Sequence, residues 1–176
     1  PIMTLIHGVM RSGIPTAVVA PRLYLENLLL PVIIGPAREE GVLRYPLPAS
    51  FPVSWSSHLD VADVVVRLLT DARPIGVTGS AGTVSIGHLP GLTGPDLAAA
   101  LSAHLDRDVH FEAISPEEFG ELITPLFGAA AMPVVNLYRT LNAQAGNIID
   151  QSTSAQRLLE ISPRPVGQWL LTELSV

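Results

Sequence analysis

The chain reads as an α/β protein on three observations. A β-branched run at residues 16–20 shows no polar alternation, the pattern of a strand buried on both faces in a parallel sheet. Three helix starts carry a side-chain acceptor followed three residues later by a carboxylate: Ser57 with Asp60, Thr93 with Asp96, and Ser115 with Glu118. Short runs at 42–45, 83–87 and 109–113 suit strands lying among those helices. Strands alternating with helices imply a layered α/β fold.

Each element has its own warrant. Residues 2–11 place Ile2, Leu5, Ile6, Val9 and Met10 on one helical face. Gly13 stops that helix and Pro15 blocks its continuation. The strand at 16–20 follows, and Pro21 ends it. Residues 23–30 fit a short helix or an irregular loop, and Pro31, Pro36, Pro46, Pro48 and Pro52 punctuate what comes next. The helix opened by Ser57 runs through Leu69 with Asp60, Asp63 and Arg67 as its polar stripe. Asp63 precedes Arg67 by four, the favourable order for a helical ion pair. A glycine-rich turn at 76–82 leads into the strand at 83–87. The helix from Thr93 turns Leu97, Ala98, Leu101 and Leu105 inward. Val109, Phe111 and Ala113 alternate with His110 and Glu112, the period of a half-buried strand. Pro116 then takes the first position of a helix whose first turn holds Glu117 and Glu118, where the helix dipole favours them. A further helix is expected at 133–145, and the tail ends in a Pro-broken loop and a short helix near 168–174.

Composition narrows the function classes. With 176 residues the chain has room for one domain with a sizeable core. It is 48% hydrophobic and only 15% charged, against a usual charged share of about 25%. A surface so short of charge suggests an incomplete domain, a homo-oligomer or a protein partner. A net charge of −6 without a basic cluster argues against nucleic acid. All ten basic residues are Arg, so no lysine can serve as Schiff base or general acid. The absence of Cys removes disulfides and thiolate chemistry and fits a cytoplasmic location. The longest apolar run, at 28–34, falls short of the ~20 residues a membrane span needs, and nothing resembles a signal peptide. No membrane partner is expected.

In α/β proteins ligands sit outside the carboxyl ends of the strands, which directs attention to residues 21–27. Asn27 offers a donor and an acceptor; Tyr24 either stacks on a ring or fills the loop; Arg22 either meets a phosphate or is an ordinary exposed arginine. Gly76, Gly79 and Gly82 fit G-x-x-G-x-x-G. A phosphate loop needs a strand before it and a helix after it. Pro74 leaves little strand ahead and a strand follows, so an ordinary turn is the simpler account and a phosphate loop stays open. His58 at a helix start has no visible partner as a base. Asp60 and Asp63 could pair as catalytic carboxylates, but capping and the Arg67 pair explain them as well. The remaining histidines lack metal-ligand spacing, so no metal is expected, and Ser80 lacks the spacer of a G-x-S-x-G elbow.

Four stretches, in order, carry a family resemblance. They are Ser12, Gly13, Pro15, Thr16 and Pro21 through Glu26 and Asn27; His58 to Asp63; Leu92 to Leu97; and, matching weaker downstream patterns, Ser115 to Phe119 and Ser162 to Pro165. Together they resemble the later part of the NmrA-like branch of atypical short-chain dehydrogenases/reductases. The resemblance implies the later part of an extended Rossmann-type, doubly wound domain plus a small C-terminal substrate-side lobe. On that basis residues 1–74 would be the trailing nucleotide-binding elements and 75–176 the lobe, with the cofactor loop upstream and the chain inactive alone. It implies NADP or NAD as cofactor and hydride transfer to a small carbonyl or unsaturated substrate. Pro21, Tyr24 and Asn27 would line the nicotinamide end, and Trp55 and His58 the substrate side. A non-catalytic, dinucleotide-sensing regulator or protein-binding module of the same fold is the alternative. Two departures leave the catalytic residues unassigned: there is no Lys for the usual Tyr–Lys dyad, and the strand that ends in Arg-Pro in the family ends here in Ala20 and Pro21.

Overall fold

The computed structural model describes residues 2–12, 16–70 and 82–174. In chain order it contains α1 (Ile2–Arg11), β1 (Val18–Pro21), α2 (Pro31–Glu39), β2 (Val42–Tyr45), α3 (His58–Thr70) and β3 (Thr83–Ile86). These are followed by α4 (Gly94–Leu105), β4 (His110–Ala113), α5 (Pro116–Phe127), α6 (Ala131–Asn142), α7 (Ala155–Leu159) and α8 (Val166–Glu173). All strand pairs are parallel. β1 pairs with β3 so that Val18 faces Thr83 and Pro21 faces Ile86. β2 pairs with β4 from Val42 opposite His110 to Tyr45 opposite Ala113. The fold is the α/β class that the sequence implies.

Two hydrophobic cores organise these elements. The smaller joins Val84 and Ile86 of β3 to Val64 of α3 and Ala155 and Leu159 of α7, with Val19 of β1 packed against them. The larger gathers α2, β2, α4, α5, α6 and α8 around Trp55, Trp169, Tyr45 and Phe119. The cores do not follow chain order. α2 and β2 precede residue 74 yet belong to the larger core, while β3 and α7 follow it and belong to the smaller.

Several elements depart from the sequence expectation for identifiable reasons. β1 is half-buried along its length rather than buried on both faces; among the described residues its neighbour is β3 alone. α2 forms despite its two prolines. Pro31 sits at the first turn, where its missing N–H is harmless. Pro36 lies inside, at a cost of ~3 kcal/mol. Burial of Ile33 and Ile34, worth about 1.5–3 kcal/mol each, offsets it. β4 is mostly exposed, including Ala113; of its residues Phe111 alone packs, half-buried, against the larger core, beside buried Val109 before it. α6 starts at Ala131 rather than Pro133, and α7 was not foreseen.

The stretch Pro116–Asn142 has the length and composition of a membrane span, which the run at 28–34 did not reveal. It is not one straight helix. α5 and α6 fold back on each other through the 3-10 turn Gly128–Ala130: Phe119 meets Tyr138 with ring centroids 5.4 Å apart, and Arg139 Nε donates to Glu117 Oε1 at 2.6 Å. Each arm has 12 residues, about 18 Å of helix, well short of the ~30 Å hydrocarbon layer.

Candidate active site

The carboxyl ends of β1 and β3 emerge side by side, with Pro21 opposite Ile86. Beyond β1 the chain continues through exposed Arg22 and buried Leu23 to Tyr24. It then enters a 3-10 turn, Leu25–Leu29, anchored by buried Leu25 and Leu28. Beyond β3 come Gly87 and His88. A Cβ at Gly87 would collide with the Ser54 carbonyl, so glycine permits this close approach.

Residues 53–57 thread between the two exits and hold both. Ser56 bridges Tyr24, donating its N–H to Leu23 O at 3.1 Å and accepting from Leu25 N–H at 2.9 Å. The Trp55 carbonyl accepts from His88 N–H at 2.8 Å and from His88 Nδ1 at 2.7 Å. A carbonyl only accepts, so Nδ1 carries the proton and Nε2 presents a lone pair. The Ser54 hydroxyl accepts from Ile149 N–H at 3.1 Å, tying the tail to the same strip.

The start of α3 closes the next side. Ser57 and Asp60 form the expected capping box, with Asp60 Oδ2 accepting from Ser57 N–H at 2.7 Å and Ser57 Oγ from Asp60 N–H at 3.1 Å. Asp60 is 1% exposed. Its Oδ1 takes both the N–H and Nη1 of Arg164 at 3.0 Å, and Arg164 Nη2 reaches Asp63 at 2.7 Å. These contacts assign Asp60 and Asp63 to holding the helix start against the tail. His58 N–H donates to Glu26 Oε1 at 2.8 Å. The His58 ring lies 4.5 Å from that of Tyr24, tilted by 58°, with Nδ1 3.9 Å from the same carboxylate oxygen.

Among the described residues, six buried side-chain atoms have no hydrogen-bond partner. Four of them flank these strand ends: Glu26 Oε2, Ser56 Oγ, His88 Nε2 and Gln156 Oε1. Gln156 is held there by its amide, which donates to Gly87 O at 2.8 Å. Buried polar atoms without partners are costly in a finished core, and they concentrate where an α/β fold receives its ligand.

Of the residues singled out from sequence, Pro21, Tyr24 and His58 meet at this mouth, and His58 is 65% exposed. Trp55 and Asn27 turn inward. The Trp55 ring packs edge-on to Tyr45 at 5.5 Å, leaving its carbonyl as the part that faces His88. Asn27 lies within hydrogen-bonding reach of the Tyr45 hydroxyl, which sits 2.5 Å from that of Tyr138. Burial pushes the Tyr138 phenol up to about 12 and raises Tyr45 as well, so both stay neutral core groups. Of the 76–82 glycine pattern, Gly76 and Gly79 lie outside the described residues, while Gly82 precedes β3 in a turn. Ser56, His88 and Gln156 were missed because no local motif marks them, and Glu26, though inside the stretch that carries the resemblance, was given no role. A groove of about 910 Å³ between α4 and β4 draws no residue from the strand ends and holds none of the partnerless atoms.

No protein-family model matches the chain. It is 32% identical to the NAD(P)H azoreductase of Xenophilus azovorans over 120 residues, 66% of this chain and 38% of that protein. It superposes on Citrobacter sp. triphenylmethane reductase with a TM-score of 0.72 at 17% identity, over 97% of this chain and 56% of that one. On the Escherichia coli NADPH-dependent quinone oxidoreductase bound to NADPH the TM-score is 0.65 at 18% identity, over 97% and 57%. On a Staphylococcus aureus nucleoside-diphosphate-sugar epimerase it is 0.68 at 18%, over 93% and 55%. The chain thus spans little more than half of these structures, and about two fifths of the azoreductase. What it shares with them is the fold.

Proposed function

We propose that the chain supplies the acceptor-side half of an NAD(P)H-dependent reductase of the NmrA-like type, working in the cytoplasm. The observation that carries this is the set of four partnerless buried polar atoms at the carboxyl ends of β1 and β3. A carboxamide-bearing ring with donors and acceptors on one edge suits such a set. Support also comes from the azoreductase relative and from the NADPH-bound quinone oxidoreductase of the same fold.

The cofactor would supply hydride. This chain's residues orient and enclose: Pro21 and Tyr24 flank the nicotinamide end, with Asn27 behind them bracing Tyr45. On the substrate side, Trp55 acts through the carbonyl that fixes His88, and His58 faces the acceptor. A flat, conjugated acceptor such as an azo dye or quinone is the substrate class that fits, in place of a generic small carbonyl compound. Apolar residues stand open on α1 (Leu5 62% exposed) and on α3, the helix packed against β1 and β3 (Val66 58%, Leu69 81%). They suit cover by a further α/β layer that carries the phosphate loop, or by a second copy.

The test is titration of the 176-residue chain with NADPH and NADH, following Trp55 and Trp169 fluorescence. Saturable binding of an azo dye by this same chain is expected, with dinucleotide binding and cofactor oxidation where a phosphate loop is supplied. Dinucleotide binding without turnover would favour the regulator. A folded chain that binds neither dinucleotide nor dye would overturn the proposal.

A further inference from the structure

Reduction by hydride leaves the acceptor one proton short, and the described residues at the crevice offer few donors. The chain has no lysine. Tyr45 and Tyr138 are buried in the larger core and bonded to each other. The proton of His88 is committed to the Trp55 carbonyl. Asp60 is sealed between Ser57 and Arg164. Beside the strand ends there remain the Tyr24 hydroxyl and the His58 imidazole, and of the two the imidazole is the one with a carboxylate held beside it.

We propose that His58 is the proton donor of this crevice, protonating the acceptor atom that hydride transfer leaves negatively charged, with Glu26 and Tyr24 fixing its position. The assignment rests on the reductase proposal. Its warrant is geometric. Glu26 comes from the turn after β1 and His58 from the start of α3, 32 residues later, yet the carboxylate accepts the His58 N–H at 2.8 Å. The same oxygen lies 3.9 Å from Nδ1, so the negative charge stands beside the ring. Tyr24 covers one ring face. Glu26 Oε2 remains buried and without a partner, so the carboxylate is not consumed by other contacts. The acids on His58's own helix, Asp60 and Asp63, are both engaged by Arg164. In the step, hydride adds to one end of an N=N or conjugated C=O system as two electrons. The His58 N–H bond then breaks, and an N–H or O–H bond forms on the acceptor. Solvent returns a proton to the 65%-exposed ring. Glu26 and Tyr24 are positioning residues.

Two measurements decide the matter. The first needs no turnover: histidines are carbethoxylated with diethyl pyrocarbonate and mapped by peptide mass spectrometry with and without methyl red. Protection of His58 by the dye is expected, with exposed His110 of β4 as the unprotected control. The second follows methyl red decolorisation with 1-benzyl-1,4-dihydronicotinamide, a hydride donor that needs no phosphate loop. His58→Gln should lower the maximal rate by about 10²–10⁴-fold with little change in KM, and added imidazole should restore part of it. Tyr24→Phe, which removes a hydroxyl but keeps the ring over His58, should cost far less than His58→Gln, and His110→Gln on β4 should leave the rate unchanged. His58→Gln keeps the backbone N–H to Glu26, and an unchanged melting curve confirms that it folds. An unprotected His58, or a His58→Gln chain turning over at the original rate, overturns the assignment alone. Failure of the unmodified chain to bind or reduce the dye overturns the reductase proposal and the assignment with it.

Discussion

The molecule's two cores are finished to different degrees. The larger core is the more nearly closed: Trp55, Trp169 and Tyr45 are at most 2% exposed and the Tyr45 and Tyr138 hydroxyls lie 2.5 Å apart, with Trp169 Nε1 and Asn142 Oδ1 as its two partnerless atoms among the described residues. The smaller core, under β1 and β3, is rimmed by open apolar helix faces and by buried polar atoms without partners. Four of the six partnerless atoms among the described residues gather at the second region, and the proposed site lies there. Sites are where a fold leaves its polar rules unfulfilled.

The strongest way to break this contrast is Trp169→Ala. It empties the larger core and should cost about 3–5 kcal/mol in urea denaturation, enough to unfold much of the population. Next comes Asp60→Ala, which strips Arg164 of its buried partner and the α3 start of its cap. A loss of about 3 kcal/mol is expected, and Arg164→Ala should cost a comparable amount because it leaves the buried Asp60 carboxylate without its guanidinium. Tyr138→Phe leaves the Tyr45 hydroxyl short of a partner and should cost about 1–3 kcal/mol.

The tyrosine pair also sets an alkaline limit. Burial holds the folded phenol of Tyr138 near 12, above the ordinary value of about 10. The folded state therefore binds the proton more tightly, and the stability this contributes is complete below pH 10. It is lost as pH rises from 10 through about 12. Alkaline unfolding followed by circular dichroism should show that window in the unmodified chain and a shallower one in Tyr138→Phe.

The smallest expected effect on stability sharpens the contrast most. Ser56→Ala removes a buried hydroxyl with no partner, so the melting curve should move by no more than the equivalent of ~0.5 kcal/mol. Dye or cofactor affinity should nevertheless weaken, because the same hydroxyl is free for a ligand.

What the sequence disclosed was local. The boxes at Ser57, Thr93 and Ser115 close as expected, since each needs only a residue three positions away. β2 falls on residues 42–45 as expected. α2 was hidden because Pro31 and Pro36 obscured a helix that long-range burial of Ile33 and Ile34 sustains. The site was legible only through the rule that ligands seek strand ends. Its joints pair residues far apart in sequence: Glu26 with His58 across 32 positions, Asp60 with Arg164 across 104. Nothing in the local pattern around Ser56, His88 or Gln156 announces that their polar atoms end up buried together near one crevice.

The most direct measurement is an amide-resolved NMR titration of the chain with reduced nicotinamide mononucleotide and methyl red. Shifts confined to residues 21–27, 54–58, 87–88 and 156 are expected, with α5, α6 and α8 silent. Perturbations centred on the larger core or on the α4–β4 groove, or none at all in a folded chain, would contradict the division between a closed core and an open site.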